Sequence, residues 1–212
     1  MPTVRVVVVT PPTALVSAAE AKAWAPVLKD DDDARVNALL LAAQAAIEPP
    51  NGWLGRALGM QVLEARFDAF RGPCLFLPCP PLREVVSVTY SDGAGVDQII
   101  APAALRVMGV GTSTGSISPR GSTGWPATDF GPEAVRVRFK AGYAVDDMEV
   151  VQVRHAIVLA ATHLRSLSTQ DLNLRSRQTE GVGSRTWTVS DAAEKLIHRA
   201  VDDLLSPLRV LT

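Results

Sequence analysis

Cysteine, aromatic side chains, long apolar runs and an excess of either charge are all scarce in this 212-residue chain. The two cysteines, Cys74 and Cys79, are too few for a disulfide framework, and no second pair completes a zinc site. Both read as half-buried thiols of a reducing compartment. No apolar stretch approaches the roughly 20 residues that cross a bilayer; the longest runs, at 6–9 and 38–43, stop far short. The first 13 residues hold one Arg and a short Val run closed by Pro11-Pro12, with no cleavage-site pattern, so neither an export signal nor a membrane span is expected. Lys and Arg number 21 against 22 Asp and Glu, a net charge of −1. A protein whose task is to grip nucleic acid carries a basic excess and a basic stripe, and this balance argues against that task.

The residues of catalysis are equally sparse. Of three histidines, His155 and His163 fall on one expected helix, roughly 80° apart around its axis. Neither sits in an HExxH pattern or beside Cys or Glu at ligand spacing, and His198 stands alone. No GxSxG elbow is present; Gly115-Ser-Ile-Ser-Pro119 does not fit one. Gly109-Val-Gly111 with Gly115 has GxGxxxG spacing and no helix start behind it, which suits a hairpin tip and not a dinucleotide site. Residues 30–33, four aspartates, lack the alternation, Gly and later Glu of a calcium loop and read as the acidic start of a helix. The chain therefore offers no catalytic constellation, no cofactor site and no metal site.

What is present is a succession of periodic segments. Residues 4–9 are a β-branched run, too apolar for an exposed strand. Ser17 and Glu20 form a capping box. The helix they open carries Ala21, Trp24 and Leu28 on one side and ends near Lys29, or a turn earlier at Pro26. Val36, Leu39, Leu40, Ala43 and Ile47 give the next helix a continuous apolar face, stopped by Pro49-Pro50. From 58 to 143 the period becomes two. Leu63, Ala65, Phe67 and Ala69 alternate with Glu64, Arg66, Asp68 and Phe70, and Val86, Val88 and Tyr90 follow suit before a turn at 91–95. Val135, Val137 and Phe139 alternate with Arg136, Arg138 and Lys140; those cations read as a solvated strand face, with a phosphate-binding ridge as the alternative. Helical period returns with Val150, Val153, Ile157, Ala161, Leu164 and Leu167. Ser190 caps a last helix bearing Leu196, Ile197, Ala200, Val201, Leu204 and Leu205, closed by Pro207.

The expected fold is α+β: a helical bundle of two N-terminal and two C-terminal helices with a small inserted antiparallel β-domain. Residues 1–57 supply the N-terminal strand and helices of the helical domain, 58–143 the β-domain, and 144–212 the C-terminal helices, with a long loop at 169–188. Trp187 in that polar loop suits either an anchor for a partner or a residue tucked against its own domain.

Several segments in order resemble the head–tail connector, or adaptor, proteins of long-tailed phages and gene transfer agents. These are Thr10-Pro-Pro12 with 16–22, the acidic stretch 30–33 before an Ala/Leu-rich helix, and Leu54-Gly-Arg-Ala-Leu58 with Gln61 and 67–70. Leu77-Pro-Cys-Pro-Pro-Leu82 with 85–90, Trp125-Pro126, 135–139, Ala141-Gly-Tyr143, 154–164 and 204–209 continue the series. The chain departs from the family at Pro49-Pro50 and in the loops 109–124 and 169–188. The resemblance implies a non-enzymatic virion part, assembled in the host cytoplasm. It would form a ring of about twelve copies under the portal through head-to-tail contacts that close on rotation, and join the DNA-filled head to the next neck or tail-completion protein. DNA would pass through the lumen without sequence-specific binding. On this view Leu204, Leu205, Leu208 and Arg209 meet the portal, and Arg185 and Trp187 a neighbouring subunit. The alternative is a monomeric β-domain module for a glycan or peptide, which would need an aromatic-lined cleft from a chain only 5% aromatic.

Overall fold

The computed structural model describes residues 4–49, 52–121, 124–129, 131–147, 149–169, 177–179, 183–185 and 199–209. Secondary structure runs β1 (Arg5–Thr10), α1 (Ala18–Trp24), α2 (Asp33–Ile47), β2 (Gln61–Phe67), β3 (Leu75–Leu77), β4 (Leu82–Ser91), β5 (Asp97–Ile100), β6 (Leu105–Met108), β7 (Gly115–Pro119), β8 (Val135–Ala141), α3 (Val150–Thr169), β9 (Arg177–Thr179) and β10 (Gly183–Arg185). A last helix, α4, is described over 199–205. The class is mixed α+β, as expected.

The chain divides into two compact units. One comprises Met1–Leu15, Ala45–Val150 and Leu208–Thr212; the other comprises Val16–Gln44 and Val151–Pro207. This differs from the expected boundaries: 45–57 and 144–150, assigned from sequence to the helical part, lie in the first unit with 58–143, and so does the N-terminal strand. The N-terminal strand, assigned from sequence to the helical part, pairs antiparallel with β2, placing Val6 opposite Ala65 and Val8 opposite Leu63. Nor is it too apolar for the surface. It forms the edge of its sheet, with Val6 and Val8 turned to the core while Val7 and Val9 remain exposed.

The first unit is built from two antiparallel sheets, one ordered β1-β2-β8-β4-β5 and the other β3-β7-β6. Their inner faces share one core, in which Leu63, Ala65, Val88, Val135, Val137, Phe139, Leu105 and Ile117 are almost fully buried. The alternation along β8 is as the sequence predicts: Val135, Val137 and Phe139 point inward. In β4 it is not. Leu82, Val85 and Val88 are the buried residues and Val86 is exposed, because the β4–β8 register shifts twice and each irregularity resets which side faces inward. The Gly109–Gly111 segment turns the β6–β7 hairpin, as its spacing suggests. Buried Glu48 joins the chain just after α2 to the start of β2. One carboxylate oxygen accepts from the amides of Leu58 and Gly59 and from Gln61 Nε2, at 2.9–3.2 Å.

In the second unit α1 opens on the expected capping box: Ser17 accepts from the Glu20 amide and the Glu20 carboxylate returns to the Ser17 amide. It stops at Trp24, and Pro26 begins a 3-10 turn. Val36, Leu40 and Ala43 of α2 are buried as its apolar face requires. Asp32 precedes α2 and its side chain accepts from the Arg35 amide, while Asp31 pairs with Arg165 of α3 and Asp33 with Lys22. Three of the four aspartates, Asp31, Asp32 and Asp33, thus act as helix-start and ion-pair residues. In α3 the predicted stripe is buried from Val153 through Ile157 to Ala161, then runs out: Leu164 is half-buried and Leu167 exposed.

Candidate functional site

The outer face of the five-stranded sheet is where sequence alternation puts charge, and it is organised as a lattice of ion pairs. Arg5, Arg66 and Arg136 lie directly opposite one another on β1, β2 and β8, an arrangement that would be repulsive by itself. Glu133 relieves it by bridging Arg5 and Arg66 at 2.7 and 2.9 Å. Arg136 pairs with Asp97, Arg138 with Glu64 and Lys140 with Glu84. Glu64 is the centre of the lattice: its side chain is only 5% exposed and holds both Arg66 and Arg138. Burial alone pushes its carboxyl upward, but the hydrogen bonds from Arg138 and Arg66 outweigh that and hold it below the ordinary value. Glu133 is held low by Arg5 and then Arg66, and Asp97 by Ser91 and then Arg136. With each cation matched, this face is a solvated, self-neutralised surface and not a phosphate-binding ridge.

The other residues singled out by sequence fall as follows. His155 stacks on Trp24 with ring centroids 4.5 Å apart, and Arg154 lies over the same indole while pairing with Glu20. His163 is buried, and His198 lies outside the described residues. Cys74 is half-buried; burial pushes the Cys79 thiol up to about 12. No group of His, Cys, Asp and Glu among the described residues could hold a metal ion. Among the described aromatic residues of the β-unit, Phe70 stacks on Trp125 and meets Tyr90 edge-on, all three packed against the core, while Trp53 and Phe76 are exposed.

The residues assigned from sequence to partner contact separate on inspection. Arg185 lies in the β9–β10 hairpin, opposite Arg177, and Trp187 lies outside the described residues. Leu205 is fully buried, so it serves packing and offers no surface; Leu204 and Leu208 are half-buried and Arg209 is exposed. The C-terminal segment is also held at a place the sequence does not announce. Buried Arg56 donates from Nε to the Leu208 carbonyl at 2.8 Å and from Nη1 to the Tyr143 hydroxyl. Arg209 stands 5.7 Å over the Trp53 ring. Only the Gly-Arg dipeptide hints at this locally, since nothing near 53–56 reveals a partner more than 150 residues away.

No protein-family model matches the sequence, nor does any curated protein. Solved structures do. A chain in the virion of a native gene transfer agent particle matches with a TM-score of 0.66 at 21% identity, over 98% of this chain and 96% of that one. A chain in the neck of an empty gene transfer agent particle, computed with C6 symmetry, gives 0.65 at 21% identity over 99% and 96%. A third, in the neck of the native particle computed with C12 symmetry, gives 0.57 at 20% over 96% of each. At such identities the likeness is one of fold, and it spans both chains nearly end to end: this protein has the fold of chains found in the virion and neck of a gene transfer agent.

Proposed function

We propose that this protein is a structural, non-enzymatic neck component of a phage or phage-like particle. It acts as an adaptor that assembles as a ring under the portal and connects the DNA-filled head to the next neck or tail-completion protein. The observation that carries this reading is the fold shared along the whole chain with virion and neck chains of the gene transfer agent. The sixfold and twelvefold symmetries given for those necks support a subunit repeated around an axis. Head-to-tail contacts of one chain with its copies close into such a ring, with about twelve members matching a portal of that symmetry. The ion-paired sheet face supports the same role, because matched cations release few counterions and give passing DNA little to adhere to. The C-terminal segment, through Leu204, Leu208 and Arg209, is the portal contact in this reading, and Arg185 with Trp187 belongs to the contact between neighbours.

The test is the absolute mass of the purified protein by light scattering, alone and mixed with its cognate portal. A ring-sized species, or a large discrete complex formed with the portal, is the expected result. A 22.6 kDa species that ignores the portal under every condition overturns the reading and restores the monomeric binding module.

A further inference from the structure

We infer that Asp92-Gly93, in the turn between β4 and β5, is a latent site of covalent modification, where Asp92 converts to isoaspartate through a cyclic succinimide, and that the Gln98 side chain holds this conversion off. The inference stands on the hairpin alone and does not rest on the adaptor reading. Asp92-Gly93 is the one Asp-Gly pair in the chain. In such a pair the glycine amide nitrogen attacks the aspartyl Cγ. A C–N bond forms, the amide proton passes to solvent, and the Cγ–OH bond breaks with loss of water. Water then opens the succinimide at the main-chain carbonyl, breaking its bond to the Gly93 nitrogen, so that the chain continues through Cγ. Mass and charge are unchanged, and no co-reactant beyond water is used. The step needs an unobstructed nitrogen and a protonated carboxyl, because hydroxyl leaves as water whereas a carboxylate oxygen is a poor leaving group.

The hairpin meets the first condition and withholds the second. Gly93 is exposed, and a Cβ built on it would meet nothing within 4 Å. The backbone bonds that close the turn leave its amide out: Asp92 N donates to the Val96 carbonyl at 2.9 Å and Gly95 N to the Asp92 carbonyl at 2.8 Å. The Asp92 carboxyl, in contrast, is engaged at both oxygens. Oδ1 accepts from the Ala94 and Val96 amides at 2.9 and 3.1 Å, and Oδ2 accepts from Gln98 Nε2 at 2.9 Å. Donors aimed at the ionised form keep it ionised, and Gln98, ahead of the Val96 and Ala94 amides, holds this carboxyl below its ordinary range. The two amides come with the turn itself. Gln98 does not: it is an exposed side chain on β5, the edge strand, opposite Tyr90. Its side chain can therefore be removed while the β4–β5 backbone pairing remains. Isoaspartate would add one carbon to the main chain within this turn, five residues before Asp97, the partner of Arg136.

The test incubates the full-length chain at mildly acidic pH, native and in denaturant, and follows isoaspartate at position 92. The readouts are labelling by an isoaspartyl methyltransferase and peptide mapping with fragmentation that separates the two isomers. The chain also holds Asn51-Gly52, with Asn51 outside the described residues; deamidation there changes the mass and is scored apart. The denatured wild type should form isoaspartate at least about tenfold faster than the native one, since three hydrogen bonds to the carboxylate are lost together. Gln98→Ala, shown to be folded by circular dichroism, should react about fivefold faster than native wild type, the effect of one lost bond on the protonated fraction. Gly93→Ala, which the open space at that position admits, places a Cβ beside the attacking nitrogen and should lose most of the product. Equal rates for native wild type and folded Gln98→Ala overturn the inference. So does a native rate equal to the denatured one, or a denatured chain that forms no isoaspartate at 92. If Gln98→Ala does not fold, the native-against-denatured comparison of the wild type carries the test.

Discussion

Replacing Glu64 with Gln tests whether the outer sheet face is held by charge. The Glu64 carboxylate accepts from Arg66 Nε at 2.9 Å and from Arg138 Nε at 2.6 Å. Gln keeps the shape but offers one acceptor and one donor, so one arginine then faces an N–H where it had an acceptor. Hydrogen bonds to charged groups contribute about 1.5–3 kcal/mol each. Arg138 is half exposed and Arg66 a third exposed, so water compensates much of the loss and about 2 kcal/mol is the reasonable sum. For a chain of this size that corresponds to a fall in Tm of about 4–8 °C. The pH dependence supplies the control. Because the folded carboxyl lies below the ordinary glutamate value of 4.5, its contribution is complete above that pH and is lost as pH falls through the folded value. The gap between wild type and Glu64→Gln, wide at neutral pH, should therefore narrow in acid. Thermal unfolding followed by circular dichroism at both pH values decides the matter. A gap below about 1 °C at neutral pH, or one that persists unchanged in acid, would refute the electrostatic account.

Two further outcomes follow from the first unit. Gly142 has φ +111°, and a Cβ there would lie 2.2 Å from the Gly59 carbonyl oxygen; Gly142→Ala should cost at least about 2 kcal/mol, seen as a lower denaturation midpoint with unchanged slope. Cys79 is buried and its thiol is pushed up to about 12, so iodoacetamide at mildly alkaline pH should leave it unmodified in the native protein and modify it in denaturant; peptide mass mapping that finds native Cys79 alkylated contradicts the burial.

Local chemistry in the sequence determined much of this protein. The Ser17–Glu20 capping box, the buried face of α2, the stop at Pro26 and the inward Val135-Val137-Phe139 row of β8 depend on neighbours within a few residues, and spacing alone encodes those. The resemblance read from ordered short motifs agrees with the fold found among gene transfer agent neck chains. What the tertiary structure decided lies at long sequence separation. The valine strand joins β2 across both N-terminal helices, and two register shifts in β4 bring Val85 inward in place of Val86. Glu64 is an ordinary outward-facing strand residue by period, yet arginines from its own and the adjacent strand enclose it. Arg56 acquires Leu208 and Tyr143 as partners only once segments 152 and 87 residues away fold against it, and Leu205 is fully buried. Periodicity states which side of an element is apolar. Which element covers that side, and which charge is left without a counterpart, depends on contacts that exist only in the folded chain.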